Sequence, residues 1–140
     1  MNQLGPLLET FLNHISHPRG LALTHLAEAG VTVDQAILLA RVQSAPGVAL
    51  SGLAEALNLS LPSVSQMTER LVKQRYLTRE ESPEDRRKKS LQLTAKARRF
   101  LTSFKKIRAE EFALGASRLS EATQARLTAV LERAVKELES

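Results

Sequence analysis

Apolar side chains recur every three or four residues along most of this chain, and the rhythm changes only once. Leu4, Leu8, Phe11, Leu12 and Ile15 fall on one helical face, which predicts an amphipathic helix over residues 3–16. Pro18 and Gly20 interrupt it, and a second helical stretch runs from Leu21 to Ala29. Gly30 then stands where a left-handed residue ends a helix. Thr32 and Gln35 have the form of a capping box, opening a helix through Gln43 with Ile37, Leu38 and Val42 among its apolar residues. Ser44 to Gly47 close it. A short helix is expected from Ser51 to Leu57, with Asn58 able to adopt the left-handed conformation that stops it. Ser60 is a good N-cap and Pro62 suits a first turn, where its missing N–H costs nothing. The helix they open runs to about Gln74, with Val64, Met67, Leu71 and Val72 as its buried stripe.

The period then shortens to two. Tyr76 to Glu80 and Lys89 to Leu93 alternate polar and apolar residues around a charged loop containing Pro83, which predicts a β-hairpin. Thr94 can cap a long helix carrying Phe100, Phe104, Ile107 and Leu114, ended by Gly115 or Ser117. Ser120 can cap a last helix with Leu127, Val130, Leu131, Ala134 and Leu138. The predicted fold is therefore mainly α with a small β-hairpin. Its 140 residues suit a single domain with no internal repeat.

Charge sharpens the picture. Between Arg70 and Arg108 fourteen Lys and Arg stand against four acids, whereas the rest of the chain has six cations and eleven acids. A chain polarised in this way offers one surface to a polyanion. With four Phe, one Tyr and no Trp, an aromatic stacking platform for single strands or RNA is disfavoured. The absence of cysteine excludes disulfides and thiolate chemistry. No run approaches the ~18 apolar residues of a membrane span. The first sixteen residues lack the features of a signal peptide, so a cytoplasmic location is expected.

Short helices followed by a hairpin form the order helix, turn, helix, wing. The second helix of such a unit enters the major groove, so its outward face must carry hydrogen-bonding side chains. With Val64, Met67 and Leu71 inward, the outward set is Ser63, Ser65, Gln66, Glu69, Arg70 and Lys73. Gln can read adenine and Arg guanine in bidentate pairs. Ser60 and Ser63, beside Pro62 at the helix start, are placed for phosphates among free backbone N–H groups.

These residues carry a resemblance. Residues 53–79, LAEALNLSLPSVSQMTERLVKQRYLTR, and 85–94, DRRKKSLQLT, resemble the winged helix-turn-helix of the MarR (multiple antibiotic resistance regulator) family. The second segment fits the family pattern Asp-x-Arg, five residues, Leu-Thr. The resemblance implies a winged helix-turn-helix over residues 32–94 and a helical dimerisation region formed by residues 1–30 and 95–140. It implies that Arg87 reaches into the minor groove, that Asp85 orients it, and that Arg86, Lys88 and Lys89 meet phosphates or stay solvated. It further implies a homodimer on double-stranded DNA, a repressor more than an activator, answering to a small aromatic or phenolic acid. Two departures are visible: Arg75 stands where the family usually has Gly, and Ala49 where a Ser or Thr often caps a helix.

An effector pocket is expected near His14, His17, His25 and Arg41, the histidines and cation of the N-terminal part. His14 and His17 at i, i+3 leave a metal-responsive regulator as one alternative. Surface histidines with no special role are another, and a non-specific architectural DNA-binding protein a third. No cofactor, resident metal or catalytic group is expected. The chain has no Cys, no His paired with an acid at catalytic spacing and no Gly-rich phosphate loop, so an enzyme is not expected.

Overall fold

The computed structural model describes residues 2–17, 20–81 and 89–140. In chain order the elements are α1 (Leu4–Ile15), α2 (Leu21–Ala29), α3 (Val33–Ser44), α4 (Leu50–Leu57), α5 (Leu61–Lys73), β1 (Leu77–Glu81), β2 (Lys89–Leu93), α6 (Ala95–Ala116) and α7 (Glu121–Glu139). The fold is mostly helical with a two-stranded antiparallel hairpin. It divides into two units, one of residues 24–106 and one of residues 1–23 with 107–140.

The 24–106 unit holds the core. Leu38, Leu39 and Val42 of α3, Leu53 of α4, Val64 and Leu71 of α5, Leu77, Leu91 and Ala97 are essentially sealed from solvent. Local chemistry explains where the helices begin. Thr32 Oγ1 accepts from Gln35 N at 3.1 Å while the Gln35 side chain accepts from Thr32 N at 3.0 Å, a closed capping box. Asn58 ends α4 at φ 52°, ψ 44°. Ala49 caps the start of α4 with no side-chain bond, which forgoes about 1 kcal/mol.

The hairpin pairs Leu77 with Leu93, Arg79 with Leu91 and Glu81 with Lys89. This register turns Leu77, Leu91 and Leu93 inward, as the alternation predicts. The N–H of Leu91 also donates to Val48 O at 3.3 Å, tying the hairpin to the loop before α4.

Two helix faces carry detail that the apolar pattern left open. Ile37 is 49% exposed, and Leu39 takes the buried position beside Leu38. Thr68, which a polarity pattern would turn outward, is fully buried. Its hydroxyl donates to Val64 O at 2.7 Å, so burial leaves no unpaired donor.

In the other unit, Gly115 does not end α6, which continues to Ala116 before Ser117. A Cβ on Gly115 would collide with the backbone of Ile15, so glycine is required there by the close approach of two segments. Leu4, Leu7, Leu8 and Leu12 of α1 and Val130, Leu131, Val135 and Leu138 of α7 remain exposed.

Candidate nucleic-acid interface

The candidate interface is built on α5. Ser60 caps it, accepting from Ser63 N at 3.3 Å and donating to Ser63 Oγ at 2.8 Å, and Pro62 follows in the first turn. Val64, Thr68 and Leu71 lock one face into the core, with Met67 half-buried beside them. Ser63, Gln66, Arg70 and Lys73 are exposed and follow at three, four and three residues, a single stripe on the opposite face. Ser60 and Pro62 are exposed at its start, whereas Ser65 is half-buried at its edge. Of the expected recognition set, Ser65 is thus the least available.

The C-terminus of α5 is fixed just as firmly. Tyr76 N donates to Leu71 O at 2.8 Å and Arg75 N to Val72 O at 3.0 Å, the two bonds of a Schellman motif. That motif needs a left-handed residue, and Arg75 supplies it at φ 65°. A non-glycine residue there costs about 1–2 kcal/mol. Thr94 Oγ1 donates to Arg75 O at 2.6 Å, and Lys96 Nζ donates to Gln74 O at 2.7 Å. Gln74 Nε2 donates to Gly30 O at 3.0 Å. Tyr76 is buried, which raises its hydroxyl pKa and keeps it neutral as it donates to Ala29 O at 3.4 Å.

The expected wing residues Asp85, Arg86, Arg87 and Lys88 lie outside the described residues. Lys89 opens β2, and its side chain is likewise not described. Arg79 on β1 is exposed and was not anticipated; it stands opposite Leu91, on the face that alternation turns inward, so no strand pattern marked it.

The four residues expected around an effector belong to different units. His14 and His17 line a cavity of about 630 Å³ together with Ile15, Leu21, Glu111 and Arg118. Glu110 and Leu114 also border it. Arg118 Nη2 donates to His14 O at 3.0 Å. His25 belongs to the 24–106 unit, its ring stacked 5.3 Å from Phe100, and Arg41 is exposed on α3. Among the described residues no cluster of three or more His, Cys, Asp or Glu could hold a metal ion.

A helix, turn, helix and hairpin in this order, with a polar stripe on the second helix, define a winged helix-turn-helix protein. Residues 29–88 match the model of the MarR family. A 64-residue stretch is 39% identical to the uncharacterized HTH-type transcriptional regulator YhbI of Bacillus subtilis (strain 168). It covers 46% of this chain and 42% of YhbI, so less than half of that relative is matched. Among solved structures, the complex of S. aureus MepR with DNA is similar, with TM-score 0.69, 22% identity, and 96% of this chain and 97% of that one covered. The apo form of wild-type MarR from E. coli is similar too, with TM-score 0.68, 19% identity, and 96% and 98% covered. The likeness to the MarR family model therefore lies within residues 29–88, less than half of the chain, and the solved structures show a shared fold.

Proposed function

We propose that this chain works as a homodimer that binds a pseudo-palindromic DNA operator and represses transcription, which would place it in the cytoplasm. The observation that carries the reading is the α5 stripe of Ser63, Gln66, Arg70 and Lys73, exposed on a helix whose other face is locked into the core. Phosphate contacts from Ser60 and Ser63 would set the register, and Gln66 and Arg70 would read base edges. Asp85, Arg86, Arg87, Lys88 and Lys89 would form the wing contact. The exposed leucines of α1 and the apolar residues of α7 support pairing with a second copy, since that much apolar surface favours burial. Two-fold pairing sets half-sites about one helical turn apart, roughly 34–36 Å.

The test is selection of an operator from random duplex followed by competition binding. A specific regulator prefers its operator by at least ~1000-fold. Equal affinity for both would identify a non-specific architectural protein instead. On the selected operator, Gln66→Ala is expected to narrow the gap between the operator and sequences altered at one base position while leaving the salt dependence unchanged. A parallel loss across all sequences would make Gln66 a backbone contact.

The cavity beside His14 and His17 supports a ligand-responsive repressor, its volume lying in the range of small-molecule sites. The resemblance implies an aromatic acid. The lining supports the opposite charge: among the described lining residues Glu110 and Glu111 stand with one arginine, Arg118, whose guanidinium donates to the His14 carbonyl. Benzamidine is therefore expected to raise the melting temperature, and benzoate at equal concentration to leave it unchanged. A rise with benzoate alone would restore the acid.

A further inference from the structure

The end of α5 is held by the start of α6, and the contact is made by residues that no base or phosphate reading requires. A helix leaves its last carbonyls without intrahelical partners. Here Leu71 O and Val72 O are taken by the backbone N–H groups of Tyr76 and Arg75. Past Lys73, Gln74 O and Arg75 O are taken from α6 and its cap: Lys96 Nζ lies 2.7 Å from the first and Thr94 Oγ1 lies 2.6 Å from the second. The Lys96 ammonium also sits 4.3 Å above the centre of the Tyr76 ring. A cation at a helix C-terminus is favoured by the macrodipole, and one above an aromatic face by the ring quadrupole. Three attractive terms therefore hold one side chain in one place.

We infer that Lys96 is a positioning residue for DNA reading: its ammonium clamps the C-terminus of α5 to α6 and thereby fixes the angle of the recognition stripe and the base of the hairpin. Both follow from one contact because the chain passes from α5 through Arg75 and Tyr76 directly into β1. Thr94 reinforces it from the other side. Its backbone N–H donates to Tyr76 O at 3.1 Å, and its hydroxyl accepts from Ala97 N at 3.2 Å while bonding to Arg75 O. Hydrogen-bonding side chains on a groove-reading helix must meet base edges within a few tenths of an ångström. Phosphate contacts from flexible side chains tolerate more. A loosened α5 end therefore costs discrimination before it costs overall affinity.

The competing role for an exposed lysine in a basic stretch is a phosphate contact, and the two roles separate by measurement. The inference rests on the DNA-binding reading, which is tested alone by the operator preference of the wild-type protein. Given that preference, Lys96→Met keeps the aliphatic stem and removes the charge and donors. We expect its operator-over-random ratio to fall about tenfold, with affinity for random duplex and the slope of log K against log salt unchanged. Lys96→Arg, which retains a donor within reach of Gln74 O, should keep most of the ratio. A slope shallower by about 0.9 with equal loss on both duplexes would make Lys96 a phosphate contact and overturn the inference. An unchanged ratio in Lys96→Met, or a loss in Lys96→Arg as large as in Lys96→Met, would overturn it as well.

Discussion

Arg87→Ala is expected to weaken operator binding by roughly 10- to 100-fold, the largest loss of any single charge removal in this chain. The expectation joins two facts. The sequence DRRKKSLQLT places Asp85 two residues before Arg87, and a carboxylate at that spacing has no use in a patch that works by charge alone. In the β1–β2 register Glu81 stands opposite Lys89, the residues that flank Asp85 and Arg87 in sequence. An arginine held by an acid at a fixed angle suits a narrow minor groove, where the negative potential is concentrated. The loss should therefore be greatest for operators with an A·T-rich step beneath the wing and smaller for G·C-rich variants of the same site. Arg86→Ala, which removes equal charge, should cost less and should not depend on that step. Fluorescence anisotropy titrations over a small set of duplexes give all four values. Equal effects of the two substitutions on every duplex would reduce Arg87 to a phosphate contact.

How far such a role could be read from the residues depended on whether its causes were local. The Thr32–Gln35 box, the Ser60 cap, the left-handed Asn58 and the inward Leu91 and Leu93 all follow from neighbours within a few positions. Those features sufficed to order the helices and the hairpin. Gly115 has the same letter as a helix terminator, yet its need is set by Ile15, far away in sequence, and no periodicity carries that. Thr68 is polar and still buried because its hydroxyl can be satisfied within its own helix. Choosing Leu39 over Ile37 for the core was beyond a run of adjacent aliphatic residues, where either face of the helix is apolar enough.

The interface divides along the same line. The α5 stripe was legible from helical spacing, apart from Ser65, whose position at the stripe's edge half-buries it. The clamp was not. Lys96 and Gln74 are twenty-two residues apart and meet only because α6 starts beside the end of α5. One sign of it was nevertheless in the sequence. Arg75, standing where the family that the sequence resembles usually has glycine, marks a left-handed residue whose cost something else must offset, and the Thr94 hydroxyl on its carbonyl is one such term.

Leu71→Ala is expected to be the most damaging core substitution on α5, lowering unfolding free energy by about 2–5 kcal/mol. Leu71 is fully buried in the cluster that includes Val64, Leu77 and Phe100, so alanine leaves a cavity that the elements packed on α5, α4 and β1, close only in part. It also stands at the third position from the end of α5, where its carbonyl accepts from Tyr76 N. In a Schellman motif the side chains of those two residues usually pack together, so truncating Leu71 loosens the turn as well as the core. Against a total stability of about 5–15 kcal/mol, such a loss is a large fraction of what holds the unit folded. Urea unfolding at fixed protein concentration measures it, concentration being held because the stability of the proposed dimer depends on it. Part of the damage should be specific: at temperatures where the variant remains folded, operator preference should fall further than affinity for random duplex. If the two fell together while stability dropped, Leu71 would be filling space alone, and the end of α5 would be held by α6 without its help.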